Sequence, residues 1–68
     1  MNEQEQIGKC AMTIALVMEE YAKLGTDDCY FVNTHLKEAM GLIAGHLTIS
    51  NQDSFSDWLL KKTEGEKK

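Results

Sequence analysis

The sequence contains no proline and no arginine, only two cysteines and one tryptophan, and no apolar run long enough to cross a bilayer. Without proline, nothing of that kind breaks a helix from within. The seven basic residues are all lysine. Arginine is the side chain best suited to bidentate phosphate or guanine contact, so its absence weighs against nucleic-acid binding. The lysines are also scattered, at Lys9, Lys23 and Lys37 and then Lys61, Lys62, Lys67 and Lys68, and form no basic patch of the kind such binding needs. The most apolar stretch, CAMTIALVM at 10–18, falls far short of the roughly 20 residues of a membrane span. The opening MNEQEQ is acidic and polar, unlike the basic-then-apolar start of a secretion signal. The expectation is a cytoplasmic protein whose thiols stay reduced.

What is present favours helix. Ala, Leu, Met, Glu, Gln and Lys outweigh the β-branched residues, and 43% hydrophobic with 26% charged residues is the mixture of a folded chain. The net charge is −4. A chain of this length is one domain at most, and it buries only about 60% of the surface its unfolded form exposes. Small scaffolds usually need a staple, a metal, a partner or very regular helix packing.

A first helix is expected over about 3–24. Asn2 can cap it, and Glu5 stands in capping-box relation. Ile7, Cys10, Ile14, Val17, Tyr21 and Leu24 repeat at three and four, with Ala11, Met18 and Ala22 widening the stripe. Glu5, Lys9, Glu19, Glu20 and Lys23 mark the opposite side. Met12 and Leu16, four apart, fall on that charged back. A hairpin alone leaves them in water, so they suggest a second contact: a dimer partner, a third helix or a foreign protein.

Gly25 suits a helix stop, and Thr26 or Asp27 caps the next helix. So short a connection folds the second helix back along the first. That helix is expected over about 28–47, with Cys29, Val32, Leu36, Ala39, Met40, Ile43 and Leu47 on one face. Phe31, His35, Leu42 and His46 flank it. Gly41 and Gly45 either end the helix or form a smooth patch for close packing. A polar loop at 48–53 leads to a short third helix over about 54–62, started by Ser50 with Asp53 or Ser54 with Asp57. Its Phe55, Trp58 and Leu59 share one side, and Trp58 is the expected anchor. A single domain over 1–62 and a disordered polar tail over 63–68 complete the reading.

No catalytic chemistry emerges. Cys10 and Cys29 both fall on the apolar face, roughly 15 Å apart along the hairpin axis, beyond disulfide reach, and read as small core hydrophobes. His35 and His46 are three turns apart, about 16 Å, and cannot share a metal ion. Glu19–Glu20 and Asp27–Asp28 are sequence neighbours whose carboxylates diverge or serve a helix start. No catalytic, cofactor or metal site is expected, and no enzyme.

The resulting expectation is an all-α protein, a helical hairpin plus a short third helix, pairing as a homodimer into a four-helix bundle. Its function is expected to be protein–protein interaction, as an adaptor, inhibitor or regulatory subunit. The interface residues expected are Met12, Leu16, Phe31, Leu42 and Trp58, with itself and another protein as partners, no cofactor and no membrane. The alternatives are an RNA-binding helical-hairpin dimer and a structural subunit of a larger assembly.

Overall fold

The computed structural model describes residues 2–66, with side-chain surroundings for 2–62. Three helices account for almost all of it: α1 (Glu3–Ala22), α2 (Asp27–Ala44) and α3 (Ile49–Glu66). The fold is all-α, with no strand among the described residues.

The first two helices begin where short polar side chains can satisfy the free N–H groups of a first turn. Asn2 Oδ1 accepts from the Glu5 N–H at 2.8 Å, and its side-chain amide donates to Glu5 Oε1 at 3.1 Å. Thr26 Oγ1 accepts from the Cys29 N–H at 3.3 Å. Between them Gly25 adopts φ +66, a left-handed conformation in which a Cβ is penalised. At the end of α1, hydrogen bonding to Glu20, then its charge, raises the Lys23 ammonium pKa above its ordinary value.

The third helix departs from expectation at both ends. It starts at Ile49, five residues early, because Thr48 supplies the cap: its Oγ1 accepts from the Asn51 N–H at 3.3 Å. Ser50 and Ser54 are therefore inside the helix, and Ser54 Oγ donates back to the Ser50 carbonyl at 3.2 Å. At the other end α3 is helical through Glu66, four residues into the segment expected to be irregular. Lys67 and Lys68 lie outside the described residues.

α2 runs back along α1, and α3 then runs in the same direction as α1. Three contacts fix that order. Gln4 meets Asn51 at 2.9 Å, Met12 lies in the cleft lined by Phe55, and Glu19 Oε2 meets Lys62 Nζ at 2.8 Å. The core is small. Among the described residues, Ala11, Ala15, Cys29, Leu47 and Phe55 are its buried apolar residues, and no large side chain is fully enclosed. Two of the five are alanines on α1, where a short side chain lets neighbouring helices approach. Ile7, Met12, Met40, Ile43, Ala44, Trp58 and Leu59 pack around the Ala11–Leu47–Phe55 cluster. Phe55, rather than Trp58, is the buried anchor of α3. Trp58 stacks on it at 5.9 Å between ring centroids.

Glycine at the end of α2 resolves one open alternative. Gly45 is the C-cap of the helix. Gly41 stays inside α2 and is exposed, with no atom of another element within 4 Å of where a Cβ would stand, so nothing packs closely against it.

Candidate interaction surface

The 3/4 stripe of α1 divides lengthwise. Ile7, Ile14 and Tyr21 are half-buried, whereas Cys10, Val17 and Leu24 are exposed, the last two at 48% and 66%. Cys10 is thus not the core hydrophobe its register suggested. Only Cys29 is buried, with its sulfur 3.2 Å from Thr26 Oγ1, and both thiols are free. The reason lies in where the neighbours sit. α2 takes the line through Ile7, Ala11 and Met18, and α3 takes the side bearing Gln4, Met12 and Glu19. At 100° per residue Val17 stands about 150° around the helix from Met12 and Glu19. Neither neighbour reaches it.

On α2 the division is weaker. Its second stripe positions are Val32, Ala39 and His46, spaced by seven and offset from the buried line of Cys29 and Leu47. Val32 and Ala39 are half-buried and His46 is exposed. The offset has the same rotational sense on both helices. In an antiparallel pair, that places both sets on one side of the hairpin. It is the side opposite α3.

This open side contains an apolar depression lined by Thr13, Leu16, Val17, Glu20, Tyr21 and Leu24. Thr13 Oγ1 donates to the Lys9 carbonyl at 2.7 Å, which satisfies its own hydroxyl inside an apolar setting. Exposed apolar area of this continuity is a feature of contact surfaces. On the far side of the hairpin, a second cleft of about 540 Å³ lies between α1 and α3, floored by Gly8, Met12, Leu47 and Phe55.

The five residues expected at an interface are distributed over the molecule. Met12 and Trp58 pack on the core within the chain. Leu16, Phe31 and Leu42 are exposed, at 46%, 65% and 75%. Leu16 borders the open side. Phe31 and Leu42 lie on the outer face of α2, where Phe31 meets the His35 ring edge-on at 4.8 Å. Val17 and Leu24 were missed as surface residues because their 3/4 spacing is also that of a core stripe.

Among the described residues, no three His, Cys, Asp or Glu side chains converge on a point that could hold a metal ion. Among the same described residues, no helix is long and apolar enough to cross a membrane. Asn33 is the polar side chain set into the α1–α2 contact. Its amide donates to the Met18 carbonyl at 2.9 Å, and its Oδ1 is buried with no hydrogen-bond partner. The chain matches no known protein family, no curated protein and no solved structure.

Proposed function

We propose that this chain is a small, acidic, non-catalytic interaction module that works in the cytoplasm by packing a helical face against another polypeptide, as an adaptor, inhibitor or regulatory subunit. The observation that carries this reading is the open side of the hairpin. Val17 and Leu24 of α1 are exposed there, Val32 and Ala39 of α2 beside them are half-buried, and α3 shields only the other side. Leaving such area in water forfeits about 25 cal/mol for each Å² that a partner would cover. The exposed Leu16, Phe31 and Leu42 extend the apolar surface around the hairpin.

The reading is tested by native mass spectrometry of the chain recovered from its own source, beside a Val17→Glu variant. A complex of fixed stoichiometry with a protein chain, lost in the variant, is the expected result. A chain that holds no polypeptide, its own copy included, contradicts the reading. So does a salt-dependent mobility shift with structured RNA that Val17→Glu leaves intact, since lysine–phosphate contact would account for it.

A further inference from the structure

We infer that the cleft between α1 and α3 binds a free α-amino acid with a large apolar side chain. The cleft shares no lining residue with the depression on the open side of the hairpin, so this goes beyond the interaction reading. Three observations support it.

The first is shape. The cleft has a volume of about 540 Å³, inside the range of roughly 300–1,000 Å³ typical of small-molecule sites. Its floor is apolar. Met12, Leu47 and Phe55 line it, the last two buried. Gly8 lies among them, and no atom of another element comes within 4 Å of where its Cβ would stand. Glycine weakens a helix interior, and here the side chain it lacks is the room above the floor.

The second is the set of polar groups with capacity to spare. Asn2 and Gln4, at the rim, turn their side chains to contacts within the chain. Glu5 Oε1 accepts from the Asn2 amide at 3.1 Å, and Glu5 Oε2 has no partner among the described residues. Lys9 stands four residues on, at the spacing of a helical ion pair. Its ammonium nevertheless makes no ion pair or hydrogen bond among the described residues. On the facing wall, Asn51 donates its amide to Gln4, which leaves its Oδ1 without a partner there. Ser54 donates its hydroxyl to the Ser50 carbonyl, and its oxygen keeps the capacity to accept. The cleft thus offers three acceptors, one of them a carboxylate, and one cation. An ammonium carries three N–H donors and matches the acceptors, while a carboxylate matches Lys9. A ligand with a carboxylate alone would meet Glu5, and one with an ammonium alone would meet Lys9. Both charges together are complementary to the pair.

The third is order along the cleft. α1 and α3 run in the same direction, and the 2.9 Å contact of Gln4 with Asn51 sets their first turns level. Glu5, Asn51 and Ser54 therefore belong to one end of the cleft. Lys9 follows one turn later on α1, about 6 Å from Glu5 between Cβ atoms. Two opposite charges borne on one carbon span such a gap. The apolar substituent on that carbon then meets Met12, Leu47 and Phe55 below it.

The test is an NMR titration of the full chain with L-leucine. Saturable shifts are expected at the Gly8, Leu47 and Ser54 amides and the Met12 methyl group. Leucinamide, which lacks the carboxylate, and isocaproate, which lacks the ammonium, are each expected to bind about tenfold more weakly, as the loss of one charge-assisted contact implies. Lys9→Gln is expected to bring leucine down to the affinity of leucinamide. Gly8→Leu fills the cleft and is expected to abolish binding while helical circular dichroism is kept. If that variant does not fold, Lys9→Gln and the two analogues still decide. The inference is overturned if leucine gives no saturable shift, or if either analogue binds as tightly as leucine. Binding that survives in a folded Gly8→Leu variant, or shifts confined to Val17 and Leu24, also overturns it. None of these outcomes bears on the open side, which Val17→Glu tests separately.

Discussion

The side-chain oxygen of Gln4 accepts the backbone N–H of Thr48 at 2.9 Å, across 44 positions of sequence. The same oxygen accepts from the Asn51 side-chain amide at 2.9 Å, and the Gln4 amide donates to the His46 carbonyl at 3.1 Å. One glutamine near the start of α1 thus ties the end of α2 to the beginning of α3. It satisfies a carbonyl and an N–H that two helix ends leave without helical partners. Gln4→Leu keeps the bulk and removes all three bonds. It is expected to cost about 1–2 kcal/mol and to speed hydrogen exchange at the Thr48 amide, with the α1 and α2 interiors unchanged at first. Exchange followed residue by residue by NMR checks this.

Phe55 holds α3 to the hairpin. Truncating a buried phenylalanine costs about 3–5 kcal/mol, a large share of what a domain of this size can spare. Phe55→Ala is expected to release α3 before the hairpin melts. Trp58, the chain's one tryptophan, reports it: its emission moves to longer wavelength at a denaturant concentration at which most helical circular dichroism remains.

Two glycines are expected to respond with opposite sign. Gly25→Ala forces a Cβ into a left-handed conformation at φ +66 and is expected to destabilise by about 1–2 kcal/mol. Gly41→Ala places a methyl in open space inside α2 and is expected to stabilise by up to about 1 kcal/mol through helix propensity. Urea titration of both variants beside the parent settles the signs.

Asn33→Asp removes the amide donor to the Met18 carbonyl and sets a carboxylate where an oxygen is already buried without a partner. Ionised, that group is expected to cost about 2–3 kcal/mol at neutral pH. Burial raises the folded-state pKa of such a carboxyl above its unfolded value of about 3.9. The loss relative to the parent is therefore small below that value and grows as pH rises through the folded pKa. Urea unfolding of both proteins across this range measures it.

The helices and their order could be read from the chain because periodicity, Asn2, Gly25 and Thr26 all agree locally. The third helix was less legible. Thr48 and Ser50 are both chemically competent caps, and the choice between them depends on Gln4, a tertiary partner that no local pattern announces. The apolar stripe of α1 was legible as a stripe, but not which half of it the chain itself covers. Spacing at three and four defines an apolar side, whereas the direction of a neighbour within that side depends on α3. Met12 seemed misplaced for the same reason. It stands on the charged side of α1 because Phe55 comes to meet it there, with the Glu19–Lys62 ion pair farther along the same contact.

The central claim is that the side of the hairpin bearing the exposed Val17 and Leu24 packs against another polypeptide. The most direct measurement is native mass spectrometry of the chain recovered from its own source, beside a Val17→Glu variant. A complex of fixed stoichiometry with a polypeptide, lost in the variant, is the result expected. A chain that holds no polypeptide, or a complex that Val17→Glu leaves intact, would contradict it.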